Sequence, residues 1–290
     1  YIGSVLCEEL LKEGYYVIAL DNLMYAPRSL FHLVHDKNFK LVLGDVRDQN
    51  VLKPLVEEAD YIIPLAAIVG APASDKNPEL AKEINFDAVK MLLAMRRPDQ
   101  KIIFPTTNSG YGVGQEGVYC DEKTPLNPIS LYGRTKVEAE KAILDAGNSI
   151  TFRLATVFGV SPRMRLDLLV NDFVHKALHD KKITLFEPHF KRNYIHIRDV
   201  ARAFIHAIKN FNSMKGETYN VGLSDANLSK RELCEEIKKH VPDLVIEESR
   251  EGSDPDKRNY IVSNAKIEAA GFKPALSLRD GIVELIKAYP

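Results

Sequence analysis

The chain has 290 residues, 45% of them hydrophobic and 27% charged, which is ordinary for a globular protein with a sizeable core. Its 39 basic and 40 acidic side chains nearly cancel, which argues against binding to nucleic acid or to an anionic membrane surface. We find no run approaching the ~18 apolar residues of a membrane span, no secretory leader and only scattered cysteines, and therefore expect a cytoplasmic protein with free thiols and no metal site.

Short apolar runs alternate with helical patterns through the first half of the chain. Helices are predicted near residues 3–13, 48–58, 79–96 and 132–146, and strands near 16–20, 39–43, 61–65, 101–105, 149–154 and 219–222. This alternation is typical of an α/β fold with a doubly wound parallel Rossmann sheet. The first helix stands where a strand and a glycine loop normally come before it, so we expect the N-terminal strand and most of that loop to be absent from this sequence.

Beyond residue 158 the pattern becomes irregular. Helices are predicted near 167–180, 199–210, 229–240 and 278–288, with a strand near 183–186. Since no low-complexity linker separates the halves, we expect a smaller interleaved α/β lobe. The predicted division is a dinucleotide-binding domain over 1–160, with contributions from about 183–222, and a substrate-binding lobe from 161–182 and 223–290.

Asp21 closes the first predicted strand, 18 residues after Gly3. An acidic residue at about this spacing accepts hydrogen bonds from the adenosine ribose of a dinucleotide, and Gly3 would then be the third glycine of the fingerprint. Alternatively, Gly3 only permits close packing. An Asp without an adjacent arginine favours NAD over NADP, because a carboxylate repels a 2′-phosphate. Asp45 and Val46 follow the next predicted strand. They either form a simple turn or hold the adenine of the cofactor.

Tyr132 and Lys136 are spaced i and i+4, so they share one face of a predicted helix. A tyrosine with a pKa near ~10 is a poor base at neutral pH, but a neighbouring ammonium that favours the phenolate lets it exchange a proton with an alcohol. Thr107 ends an apolar strand upstream and supplies a hydroxyl where a substrate alcohol could lie. The simpler alternative is a surface tyrosine beside a lysine.

With these motifs the chain resembles the extended short-chain dehydrogenases that act on nucleotide sugars, such as hexose 4-epimerases and 4,6-dehydratases, over essentially its whole length. The resemblance implies NAD as cofactor and Thr107, Tyr132 and Lys136 as catalytic residues. Where the family often has a histidine before the Ala-Ala turn, this chain has Pro64. Asn85 would lie in the helix behind the cleft. Besides Tyr132 and Lys136, the resemblance assigns to the cofactor cleft Tyr1, Ile2, Gly3, Asp21, Asn22, Asp45, Val46, Leu65, Ala66 and Ala67.

The resemblance also implies a nucleotide-sugar site. Arg192 and Arg258 resemble the family's arginines that face the diphosphate, which suits guanidinium groups able to contact two oxygens at once. Asn171 resembles an asparagine whose backbone or amide holds a phosphate, and Asn108 and Ser109 would face the sugar. Each could instead be a surface polar residue. His196 is expected to be structural.

Residues 151–168 resemble a narrower group of bacterial enzymes that oxidise C4 of a GDP-linked manno-heptose in capsule synthesis. Asn108 and Ser109 resemble that group too. Related 4,6-dehydratases place Asp-Glu at these two positions, and a 3,5-epimerising reductase has a cysteine at the position of Ser109, so both reactions are disfavoured.

The open alternatives are a C4 dehydrogenase or reductase, a 4-epimerase, and a non-catalytic NAD-binding scaffold of the same fold. The family pairs two helices between subunits. They correspond to the pattern near 79–96 and to the helix with Tyr132, Val137, Ala139 and Ala142, and both helices are expected to face the partner subunit. We therefore expect a homodimer or homotetramer.

Overall fold

The computed structural model describes residues 1–249 and 258–289. The strands are β1 Val17–Asp21, β2 Phe39–Leu43, β3 Tyr61–Ile62, β4 Lys101–Thr107, β5 Tyr119–Cys120, β6 Ser149–Leu154, β7 Thr156–Phe158, β8 Lys182–Leu185, β9 Lys191–His196, β10 Thr218–Val221, β11 Asn227–Ser229, β12 Val245–Glu248 and β13 Ile261–Val262. The helices are α1 Ile2–Lys12, α2 Gln49–Glu58, α3 Ala71–Lys76, α4 Pro78–Lys82, α5 Ala88–Met95, α6 Leu131–Asp145, α7 Leu169–His179, α8 Ile197–Lys209, α9 Phe211–Met214, α10 Lys230–Lys238, α11 Ala265–Ala269 and α12 Leu278–Ala288.

The central strands are parallel. One sheet has the order β10-β6-β4-β3, and β1 pairs with β2 in a second sheet. Over residues 1–249 and 258–289, no hydrogen-bonded pairing joins these two sheets. Strands β4 and β6 are buried along their length, as expected of parallel strands covered on both faces. Helices α1 and α8 pack on one side with Ile103, Ile150 and Phe152 in the main core. The predicted Rossmann-like α/β fold is confirmed.

A second core lies under the C-terminal half. Its buried residues come mainly from α7, α10 and α12 and from the strands beside them, and include Val170, Leu233 and Ile282. Strand β8 pairs with β12 and belongs to this second core, whereas α8 and β10 belong to the main one. Residues 183–222 therefore divide between the two cores, and the domain boundary near residue 160 stays a prediction.

The predicted helix over 79–96 is interrupted. A π-helical turn, Glu83–Asp87, separates α4 from α5. Within it the buried Asn85 side chain accepts from the Ile68 amide at 2.8 Å and donates to the Ile68 carbonyl at 3.0 Å and to the Thr135 hydroxyl at 3.3 Å. A local change of helical pitch at such a position is a common functional device. Here it fastens the loop after β3 to α6.

No helix in the described part of the chain is long and apolar enough to cross a membrane. The same residues contain no cluster of three His, Cys, Asp or Glu side chains suited to a metal ion. Ala139 is completely buried within its own chain, so this residue of α6 is not accessible to a partner subunit. The homodimer or homotetramer stays a prediction.

Candidate active site

Strand β4 and helix α6 bring Thr107 and Tyr132 together. Thr107 is the last residue of β4, and its hydroxyl accepts from the Ser109 amide at 3.1 Å, which starts a 3₁₀ turn over Asn108–Tyr111. Helix α6 begins just before Tyr132, where the Ser130 hydroxyl accepts from the Gly133 amide at 3.1 Å. Across this junction the Thr107 hydroxyl lies close enough to the Tyr132 phenol to lower the pKa of that phenol.

Lys136 lies one helical turn after Tyr132 and is almost fully buried. Its Nζ is 3.9 Å from the centre of the Phe104 ring. Burial lowers the pKa of the ammonium to about 7, although nearby Glu140 acts in the opposite direction. Glu140 is itself paired with buried Arg153 at 2.6 Å. Lys136 therefore carries only part of a positive charge at neutral pH.

Burial raises the pKa of the Tyr132 phenol, because the phenolate is less well solvated than in water. Arg165 and Arg258 oppose this shift by their charge, as does the hydrogen bond from Thr107. The sequence predicted a supporting cation but placed it at Lys136 alone. Arg165 was not among the predicted site residues, and no motif distinguishes it.

The acidic residues predicted for the cofactor lie at the carboxyl ends of β1 and β2. Asp21 is exposed, and its Oδ1 accepts from the Leu23 amide at 2.7 Å. Asn22 donates to Asp45 at 3.2 Å. Asp45 also accepts from Arg47 at 2.9 and 3.0 Å, and the Arg47 hydrogen bond is the main reason its pKa falls to about 2. Asp45 is thus ionised and held in place.

The remaining cleft residues are mostly apolar. A Cβ atom built on Gly3 would lie 3.4 Å from Leu65, so α1 begins beside the end of β3. The side chains of Tyr1 and Ile2 pack on the main core, and the Tyr1 carbonyl accepts from the Ser4 and Ser161 hydroxyls, both at 2.9 Å. Val46 packs against a small buried cluster that contains Ile68. Ala66 is exposed and Ala67 is partly buried.

This set of residues fits a dinucleotide. Carboxylates at the ends of β1 and β2 can accept from ribose hydroxyls, whereas Thr107, Tyr132 and Lys136 place hydroxyl and amine groups at the end of β4. These strand ends lie at the same edge of a parallel arrangement, where such folds bind their ligands. NAD would be held between the two groups.

The substrate-side predictions have different outcomes. Among residues 1–249 and 258–289, the buried Asn108 amide has no hydrogen-bond partner on either atom. An unmade buried hydrogen bond costs about 1–3 kcal/mol, so this amide is suited to a ligand. The Arg258 guanidinium donates to the Ser109 hydroxyl, while residues 254–257 of its motif lie outside the described residues. Arg192 is buried, donates to the Lys191 carbonyl at 2.9 Å and lies 5.9 Å from the Tyr260 ring.

Asn171 does not offer its amide to a phosphate. Its Oδ1 accepts from the Gly159 amide at 3.0 Å, and its Nδ2 donates to the Arg165 carbonyl at 2.9 Å and to the Tyr1 hydroxyl at 3.3 Å. The residue is fully buried, so the predicted amide contact is wrong and only its backbone N–H, in the first turn of α7, could serve. His196 is also fully buried and contacts Glu284 at 2.6 Å, as expected of a structural residue.

Comparison with known proteins agrees with this geometry. The model of the NAD dependent epimerase/dehydratase family matches residues 1–222. An uncharacterised UDP-glucose epimerase of Bacillus subtilis is 31% identical over 306 residues, covering 99% of this chain and 94% of that protein. A putative UDP-glucose 4-epimerase of Methanocaldococcus jannaschii is 27% identical over 301 residues, covering 99% of this chain and 94% of that protein.

Solved structures show the same fold. The UDP-glucose 4-epimerase of Thermus thermophilus in complex with NAD superposes with a TM-score of 0.85 at 25% identity, covering 99% of this chain and 95% of that one. The dTDP-glucose 4,6-dehydratase of Bacillus anthracis in complex with NAD has a TM-score of 0.86 at 22% identity and covers 100% and 93% of the two chains. This chain is therefore an enzyme of the NAD dependent epimerase/dehydratase family, with NAD as its cofactor.

Proposed function

We propose that this enzyme oxidises the C4 hydroxyl of a nucleotide-linked sugar, with Tyr132 as the base. The observation that carries the proposal is that Thr107 at the end of β4 lies beside the Tyr132 phenol, which begins α6 with Lys136 one helical turn further along. A sugar hydroxyl bound beside this pair can give its proton to the Tyr132 oxygen while Thr107 orients the reacting oxygen. Bound NAD supplies the hydride acceptor. Lys136 lies on the same helix face, where it can hold the cofactor.

Elimination of water from the sugar has less support. It needs a carboxyl acid and a base, and the residues that follow Thr107 are Asn108 and Ser109, both buried and neither able to ionise as a carboxyl group. Oxidation at C4 followed by return of the hydride needs only one proton-exchanging group. Tyr132 can serve in both directions.

The relatives support a 4-epimerase, because proteins named UDP-glucose 4-epimerase occur among both the sequence and the structure matches. In this reaction the hydride returns to the opposite face of the keto sugar. A C4 dehydrogenase on a GDP-linked manno-heptose is the second candidate, supported by the resemblance of residues 151–168. Either substrate carries a diphosphate, and we assign Arg192 and Arg258 to it.

The test is to incubate the NAD-loaded enzyme with UDP-glucose and, separately, with GDP-manno-heptose, and to identify products by NMR and NADH by fluorescence. A C4 epimer without net NADH supports the epimerase, and a 4-keto sugar with stoichiometric NADH supports the dehydrogenase. A 4-keto-6-deoxy product would reject both.

The Tyr132→Phe variant should keep NAD but lose at least about 10²-fold in turnover, since it lacks the proton-exchanging group. Tyr194→Phe is a matched control, because its hydroxyl is buried and has no hydrogen-bond partner within the described part of the chain. Near-normal turnover of Tyr132→Phe would overturn the assignment.

A further inference from the structure

Ser109 is nearly inaccessible to solvent and lies between Arg258 on one side and Thr107 and Tyr132 on the other. The Arg258 guanidinium donates to the Ser109 hydroxyl, which is 2.8 Å from the Thr107 hydroxyl, and Thr107 in turn lies beside the Tyr132 phenol and lowers its pKa. These contacts form one continuous chain from a cation in the C-terminal part of the sequence to the phenol on α6.

Arg258 fixes the direction of this chain, because a guanidinium can only donate hydrogen bonds. Ser109 accepts from Arg258, so its own proton is available for the Thr107 oxygen. That oxygen also accepts the Ser109 backbone N–H at 3.1 Å. With two donors directed at it, Thr107 has its own proton left to donate towards Tyr132. Every donor in the chain then points to the phenol oxygen.

We propose that Ser109 and Arg258 are positioning residues that polarise the Thr107 hydroxyl towards Tyr132 and thereby favour the phenolate, the form that accepts the sugar proton. The inference rests on the proposed function and adds a role for two residues otherwise assigned only to substrate binding. A chain of hydrogen bonds in a buried site strengthens its members, and a charged donor at one end adds to the effect.

A substrate-free measurement tests this role. Tyrosinate absorbance of the NAD-loaded protein is followed against pH, and the same titration of a matched Tyr132→Phe protein is subtracted so that only Tyr132 is seen. Ser109→Ala should raise the apparent pKa of Tyr132 by about one unit, equivalent to a tenfold change in the ionisation constant. Ser109→Thr keeps the hydroxyl and should restore it. Thr106→Val is the matched control, because this neighbouring hydroxyl is buried and none of the residues that the structure describes hydrogen-bonds it.

Kinetics on the substrate found above give the second readout. Ser109→Ala should lower kcat about tenfold near neutral pH and move the acidic limb of the kcat profile upwards, with little change in KM. Arg258→Met should move the same limb, in addition to raising KM. The inference is overturned if the Tyr132 titration is the same in wild type and Ser109→Ala, or if Arg258→Met changes KM alone. If Tyr132→Phe loses turnover while Ser109→Ala keeps the turnover and Tyr132 titration of the wild-type protein, the relay is rejected and the proposed function is retained.

Discussion

Replacing Glu140 with Gln should lower the free energy of unfolding by about 3–5 kcal/mol, the range for removing one partner of a buried ion pair. The side chains of Arg153 and Glu140 are only 7% and 4% exposed, and the guanidinium donates to both carboxylate oxygens at 2.6–3.2 Å. The variant leaves the Arg153 charge with neutral acceptors alone: the amide oxygen kept at position 140, the Tyr111 hydroxyl at 3.1 Å and the Glu122 carbonyl at 3.3 Å. None of them can neutralise it.

Urea unfolding followed by circular dichroism measures this change in unfolding free energy. We expect a lower midpoint urea concentration, with the dependence of the free energy on urea concentration unchanged. Glu138→Gln is the control on the exposed face of the same helix and should change the unfolding free energy by less than about 0.5 kcal/mol. The double variant Glu140→Leu, Arg153→Met should be closer to wild type than Glu140→Gln, because it leaves no unpaired buried charge. A Glu140→Gln protein within about 0.5 kcal/mol of wild type would refute this reasoning.

The protein should take up a proton when it binds NAD above neutral pH. Lys136 has a pKa of about 7 in the free protein, and an acceptor on the cofactor would favour its charged form. Calorimetry in buffers of different ionisation enthalpy detects the proton uptake, and a binding enthalpy that does not depend on the buffer at pH ~8.5 would contradict the prediction. Asp21→Ala should weaken NAD binding and reduce the preference for NAD over NADP. An unchanged ratio of the two dissociation constants would reject the ribose contact. Gly112→Ala should destabilise the protein more than Gly117→Ala in thermal unfolding. Both residues have positive φ, but only the Cβ of the former would overlap a backbone oxygen, that of Asn127; equal shifts would contradict this.

The alternation of strands and helices could be predicted because buried parallel strands and amphipathic helices leave different periods in the sequence. Thr107 and Tyr132 could be predicted together for a similar local reason: one ends a strand, and the other begins a helix with Lys136 one turn away. The π-helical turn could not, because apolar residues on either side of Asn85 still follow a nearly helical spacing.

The errors concern contacts between distant parts of the chain. The amide of Asn171 is used by Gly159, Arg165 and Tyr1, and nothing in its own segment shows that these groups surround it. Arg165 acts on Tyr132 only because its loop folds back to the carboxyl edge of the sheet. Spacing within a motif contains no information on such encounters, which depend on tertiary packing.

The parallel pairing of β13 with β5 has a consequence for synthesis of the protein. The pairing places Ile261 opposite Tyr119 and Val262 opposite Cys120. Arg258, which precedes β13 in the sequence, donates a hydrogen bond to Ser109. Closing so long a loop is entropically costly and comes late, and a ribosome releases the N-terminal part first. A nascent chain can therefore assemble β4 and α6 with Thr107 and Tyr132 well before its last helices emerge. In the proposed relay, the site is complete only when the segment that carries Arg258 has left the ribosome.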